Sequence, residues 1–289
     1  MTAVVSNSTE YLLGQSLSSH DDDSHDIYTN FLYLDTSSPG FNDPITFPKD
    51  PKERWVSLPD HVSPAVVTDV GDNIRHYKLD CHGFQYVTHT TKCSKEIFLD
   101  EAEIKATNIR STGASYVHFF DYAARGPLNR DDGDPNINRP VKSVHCDQSY
   151  EGAKRVVMSR LPDKAFAEEV VGNRRFQIMN IWRPLEPIYK NPFAVTDARS
   201  IPDSDLVALP IIAGNYNEES WAAEPNPAHR WYFKFAQKPD EVLMFKCFDS
   251  GKNKDVARRV LHPAFTDGAQ EHMPPRESFE VRAVVVYGE

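Results

Sequence analysis

The chain has 289 residues, 40% hydrophobic and 26% charged, the balance of a globular protein with enough apolar side chains for a sizeable core. Its 42 acidic against 32 basic residues leave a formal net charge of −10, which argues against nucleic acid or an anionic membrane surface as partner. Four cysteines (Cys81, Cys93, Cys146, Cys247), none in a CxxC pair, argue against a disulfide framework and a structural zinc site.

Residues 1 to 26 are rich in Ser, Asp and His and read as a flexible arm. They lack the basic and apolar regions of a secretory leader, and no apolar run reaches the roughly 18 residues a membrane span requires. The expectation is a soluble, cytoplasmic protein, monomer or homodimer. From Ile27 to about Pro64, prolines and aromatics interrupt the chain, which predicts a segment lying over a surface rather than regular elements. No repeat or low-complexity linker divides the remainder of the chain, so residues 27–289 are expected to form a single domain.

Two stretches have helical spacing. One is KEIFLDEAEIKATNI; the other, SYEGAKRVVMSRLPDKAFAEEVV, reads as two helices broken at Pro162. HGFQYVTHT, ASYVHFFDYA, RRFQIMNIWRP, HRWYFKFAQ, DEVLMFKCF and SFEVRAVVVY are short, rich in β-branched and aromatic residues, and bounded by turn formers. The pattern predicts a mainly β fold with flanking helices, a double-stranded β-helix (jelly roll, cupin-like).

In RPVKSVHCDQSYEGAKRV, His145 and Asp147 stand two apart just before a helix. On a strand they share a face while Cys146 points away. Alone, such a spacing is weak, and SSHDDDSHD offers rivals at His20 and His25. The downstream order strengthens it: more than a hundred residues on comes His262, then Arg276 opening the strand RESFEVRAVVVY. Two histidines and one carboxylate form a facial set with three open positions, which suits Fe(II), O2 and a chelating cosubstrate. A 2-oxoglutarate cosubstrate chelates through its keto-acid end and leaves its far carboxylate for an arginine fork. Arg276 fits that role, with Ser278 on the same face; Arg282 also lies on that face and is the rival. The Arg-x-Ser pattern favours Arg276.

VHCDQSYEGA, NIWRPL, AVTDARSI with SDLV, HRWYFKFAQKPDEVLMFKCFDS, HPAF and PRESFEVRAVVVY together resemble the fungal hydroxylase/desaturase family, which includes gibberellin-desaturase-like and aspergillic-acid-hydroxylase-like enzymes. The resemblance covers residues 110 to 288 well and the first hundred more loosely. It implies a double-stranded β-helix, Fe(II) and 2-oxoglutarate, and oxidation of a small secondary metabolite by O2 with succinate and CO2 as co-products. Carried over, His145, Asp147 and His262 match the metal ligands and Arg276 the cosubstrate anchor.

Around this set, Asn180 and Trp182 share a strand face toward the cavity, with Asn180 a candidate for cosubstrate contact. Tyr116, His118, Trp182 and Trp231 are candidates for substrate contact, each weighed against plain core packing. Arg183 is expected in a buried ion pair with Asp197 or Glu186. Two rival classes remain: a jelly-roll hydrolase or isomerase using zinc or manganese, which would not need Arg276, and a catalytically silent partner subunit. The chain has no GxSxG, P-loop, GxGxxG or HExxH.

Overall fold

A computed structural model describes residues 25–46, 59–90, 113–126, 140–213 and 216–288. In chain order the elements are β1 (Ile27–Leu34), β2 (Ile45–Thr46), β3 (Asp60–Asp69), α1 (Leu79–His82), β4 (Phe84–Thr88), β5 (Tyr116–Arg125) and β6 (His145–Cys146). Then come α2 (Tyr150–Arg160), α3 (Lys164–Asn173), β7 (Phe176–Pro184), β8 (Val195–Thr196), β9 (Leu206–Ala213), β10 (Tyr216–Ala223), β11 (Trp231–Phe233), β12 (Glu241–Asp249) and β13 (Ser278–Val286).

Five strands form one sheet in the order β4-β12-β7-β13-β5. Alternation sorts its side chains. Ile178, Trp182, Leu243, Phe245 and Val284 enter the main core, whereas Met179, Ile181, Val242, Met244 and Val285 form a second cluster on the other face. Two four-stranded sheets, β1-β3-β11-β8 and β2-β9-β10-β6, supply the facing layer. The segment 261–264 joins them: Thr196 N–H donates to Leu261 O, Ala194 N–H to Pro263 O, and His262 N–H to His145 O. Two β layers enclosing one core are the jelly roll that the strand pattern predicts.

The helix pair falls where periodicity places it, broken at Pro162. Ser149 caps α2 by accepting from Gly152 N–H at 2.9 Å, and Asp163 caps α3 by accepting from Phe166 N–H at 3.1 Å. Gly152 is required by packing: a Cβ there would collide with Glu219 O on β10. A charged cluster is built around two buried residues of β12, Lys246 and Asp249. Lys246, fully buried, donates to Asp249 Oδ2 at 2.7 Å and to Asp80 Oδ1 at 2.6 Å, and Arg175 grips both oxygens of Asp249.

One expectation needs correction. The stretch from Ile27 was predicted to be irregular, but Ile27–Leu34 forms an eight-residue strand antiparallel to β3, with Ile27, Thr29, Phe31 and Tyr33 buried. The predicted helix over KEIFLDEAEIKATNI, and all of the predicted arm except His25 and Asp26, lie outside the described residues. Among the described residues no helix is long and apolar enough to cross a membrane, and Cys81, Cys146 and Cys247 are free thiols.

Candidate active site

His145 belongs to β6, which pairs with β10 so that His145 faces Ala222. On its other side the His262 N–H···O His145 bond of 2.8 Å makes an isolated antiparallel bridge. Backbone pairing therefore fixes two histidines from distant parts of the chain side by side, with ring centroids 4.4 Å apart. Asp147 follows two residues after His145. Its Oδ1 lies 3.6 Å from Nε2 of His145 and 3.6 Å from Nε2 of His262. One ligand atom from each residue lies within 4.8 Å of the others.

The surroundings prepare these groups for a cation. His145 Nδ1 is 2.8 Å from Ser143 O, which assigns the proton to Nδ1 and leaves Nε2 as a lone-pair donor. Burial, with the neighbouring His262, pushes His145 down to about 4, so the ring is neutral. Burial opposes the charge of Asp147, but Arg282 and the histidines hold its carboxyl well below the usual carboxylate range. His262 is wedged between Phe193, stacked at 5.7 Å, and Phe245 at 4.7 Å. Burial opposes a proton on His262, but Asp147 favours one and raises its affinity above the ordinary value, so that ring gives up its proton when a cation binds. An N2O donor set of two imidazoles and an ionised carboxylate fits a divalent transition metal such as Fe(II).

These residues border a cavity of about 50 Å³, lined also by Trp182, Phe193, Arg276, Glu280 and Arg282. Arg276 is buried. Its Nη1 donates to Asn191 O at 3.1 Å, its Nε has no partner, and its guanidinium lies 5.4 Å over Trp182 and 5.8 Å over Phe193. Ser278 Oγ, one alternation along, is also buried without a partner. Buried donors left unsatisfied are rare and costly, and two on one face mark a place for an acceptor. Arg282, the rival anchor, is already ion-paired: Nη1 is 2.7 Å from Asp121 Oδ2, and Nε is 3.0 Å from Asp147 Oδ2 and 3.1 Å from Glu280 Oε1, although the Nε–H is hydrogen-bonded to neither.

Several sequence candidates stand elsewhere. Asn180 faces the site, and its Nδ2 donates to Asp147 Oδ2 at 2.7 Å and to Glu280 Oε1 at 3.2 Å. Tyr116 and His118 are on the correct face of β5 but at its wrong end. They pair with Val286 and Val284, and Tyr116 packs on Phe166 of α3 at 5.1 Å. Trp231 is buried in the facing layer, where its Nε1 donates to Tyr33 OH at 3.2 Å; it borders a separate cavity of about 460 Å³. Arg183 Nη2 is 2.7 Å from His89 Nδ1 and donates to His89 O at 3.0 Å, whereas Asp197 is taken by Arg199 and Arg230.

Not anticipated from sequence among the cavity residues are Ala123, Arg125, Val141, Phe193 and Glu280. Glu280 was within reach, because it lies between Ser278 and Arg282 on the singled-out face. Arg125 and Ala123 were hidden by a bulge: the β5–β13 register skips Phe120, which turns the odd-numbered residues beyond it inward.

A family described as "Oxidoreductase/YMDC permease-like domain" matches residues 31–286. The chain is 34% identical over 258 residues to "Hydroxylase/desaturase efuI" of Hormonema carpetanum, covering 78% of this chain and 84% of that protein. It is 30% identical to "Alpha-ketoglutarate-dependent dioxygenase tstK" of Talaromyces stipitatus, covering 78% of this chain and 86% of that one. Its fold matches a solved structure of the "iron and alpha-ketoglutarate-dependent endoperoxidase NvfI" with a TM-score of 0.76 at 23% identity, over 93% of this chain and all of that chain.

Proposed function

Since this chain belongs to the fungal hydroxylase/desaturase family of Fe(II)- and 2-oxoglutarate-dependent dioxygenases, we propose that His145, Asp147 and His262 hold its iron and that Arg276 with Ser278 binds the far carboxylate of 2-oxoglutarate. The enzyme uses Fe(II), 2-oxoglutarate and O2 to oxidise a small-molecule substrate. The observation that carries the residue assignment is the convergence, on one cavity, of three ligand atoms and a buried, unneutralised guanidinium.

Iron with 2-oxoglutarate and O2 supplies the power to take hydrogen from an unactivated C–H bond, with succinate and CO2 released. The chain's own residues arrange that chemistry. Arg276, backed by Trp182 and Phe193, presents a rigid fork to the cosubstrate carboxylate, and Ser278 Oγ adds one donor. The aromatic walls exclude water, which strengthens these contacts. Neutral His145 and ionised Asp147 accept the cation without first releasing a proton. A hydrolase or isomerase on the same triad would leave Arg276 and Ser278 without a purpose, and a silent partner subunit would not need the intact ligand set.

Anaerobic addition of Fe(II) and then 2-oxoglutarate tests the reading. A weak visible charge-transfer band is expected only when both are present. Bound iron with no such band would refute the chelated cosubstrate.

A further inference from the structure

We propose that Arg282 and Asn180 are positioning residues for Asp147, clamping its outer oxygen Oδ2 so that Oδ1 alone is offered to the metal. The inference rests on the ligand assignment above and goes beyond it, because it gives Arg282 and Asn180 a task separate from cosubstrate binding.

Asp147 needs an external hold. It stands just past the two-residue strand β6, where backbone pairing fixes His145 but not the residue two places on. A free carboxylate can rotate or bind through both oxygens. Two-oxygen binding would consume one of the three positions that a chelating cosubstrate and O2 require.

The clamp meets that need. Oδ1 faces both histidine Nε2 atoms at 3.6 Å, while Oδ2 faces away, hydrogen-bonded by Asn180 Nδ2 at 2.7 Å and ion-paired with Arg282, whose Nε lies 3.0 Å off without a hydrogen bond. Both side chains are themselves held. Glu280 Oε1 accepts from Asn180 Nδ2 at 3.2 Å and lies 3.1 Å from Arg282 Nε, and Asp121 Oδ2 accepts from Arg282 Nη1 at 2.7 Å. All are strand residues in register: Arg282 lies opposite Asn180 across β13–β7 and opposite Asp121 across β13–β5. Sheet geometry thus sets the aim of a ligand that its own segment leaves loose. Glu280 and Asp121 also offset the guanidinium charge, so the clamp orients Asp147 without adding net repulsion toward a cation.

The test uses Co(II), a redox-stable probe, titrated into metal-free full-length protein. Arg282→Met and Asn180→Ala are each expected to bind it about 10- to 100-fold more weakly than wild type, with a changed visible ligand-field spectrum, and Arg282→Lys to recover part of the loss. A merely structural role would lower the thermal midpoint and leave the Co(II) spectrum unmoved. Folded variants whose Co(II) affinity stays within about threefold of wild type, or tightens, with an unchanged spectrum overturn the inference. If Arg282→Met does not fold, Asn180→Ala, which alters no charge, decides alone. His262→Ala separates the two readings. If it binds Co(II) as well as wild type, the ligand assignment itself has failed; if it loses Co(II) while both clamp variants keep it, only the clamp has failed.

Discussion

Replacing Arg276 by Met should move stability and cosubstrate binding in opposite directions. The side chain is 6% exposed, has no salt bridge among the described residues, and leaves Nε unpaired. Burial, aided by Arg125, pushes the guanidinium down from its ordinary 12.5 to about 9. At about 1.4 kcal/mol for each tenfold, holding that charge costs roughly 3–5 kcal/mol before the cavity relaxes. Met fills the space beside Trp182 and Phe193 without the charge, so the protein lacking 2-oxoglutarate should gain about 1–3 kcal/mol, a midpoint rise of roughly 2–5 °C for a chain of 289 residues. With cosubstrate present the balance reverses. Losing the cation opposite a buried carboxylate costs about 2–5 kcal/mol, which raises the 2-oxoglutarate requirement from roughly 30-fold to several thousand-fold. Thermal unfolding with and without 2-oxoglutarate, together with titration of the charge-transfer band, measures both. A variant that is less stable without cosubstrate yet binds it as wild type does would refute the reasoning and make Arg276 a packing residue.

Asp249→Asn strips both Arg175 and the buried Lys246 of a partner and should cost about 3–5 kcal/mol at pH 7. Burial opposes the charge of Asp249, but these cations hold its carboxyl below the usual range, so its stabilisation is complete above about pH 4 and fades as pH falls through the lowered value. Urea midpoints of wild type and variant should therefore draw together as pH falls below about 4; a gap independent of pH would refute the ion-pair account. Gly152→Ala drives a methyl against Glu219 O and should cost about 1–3 kcal/mol. Because β10 also supports His145, the same variant should bind Co(II) more weakly, and an unshifted unfolding midpoint would contradict the close approach.

The second half of the fold was the more legible in sequence. β7, β12 and β13 are rich in apolar, β-branched and aromatic residues, and α2 and α3 carry side-chain caps at Ser149 and Asp163. β1 escaped because prolines downstream dominated the reading of its segment, although IYTNFLYL buries alternate residues. β9 contains Pro210, and β10 carries Glu218 and Glu219, which face arginines of α2; both features weaken a strand signal. At the site, the spacing of His145 and Asp147 and the placing of Arg276 and Ser278 could be read from alternation. The partners of Asp147 could not. Only the cross-strand register of β7, β13 and β5 brings Asn180, Arg282 and Asp121 together, and register is a long-range property.

The backbone bridge between His145 and His262 also has a temporal meaning. The two residues stand more than a hundred positions apart, and the β13 face that carries Arg276 and Arg282 comes later still. Closing so long a loop is slow compared with forming the α2–α3 pair between them. A chain still emerging from the ribosome can form its α2–α3 pair, but it has no paired histidines to offer until His262 has been made. On the ligand assignment proposed above, capture of the metal follows the pairing of His262 with His145, and a chain that stops short of His262 lacks one of the three donors that would hold a redox-active ion.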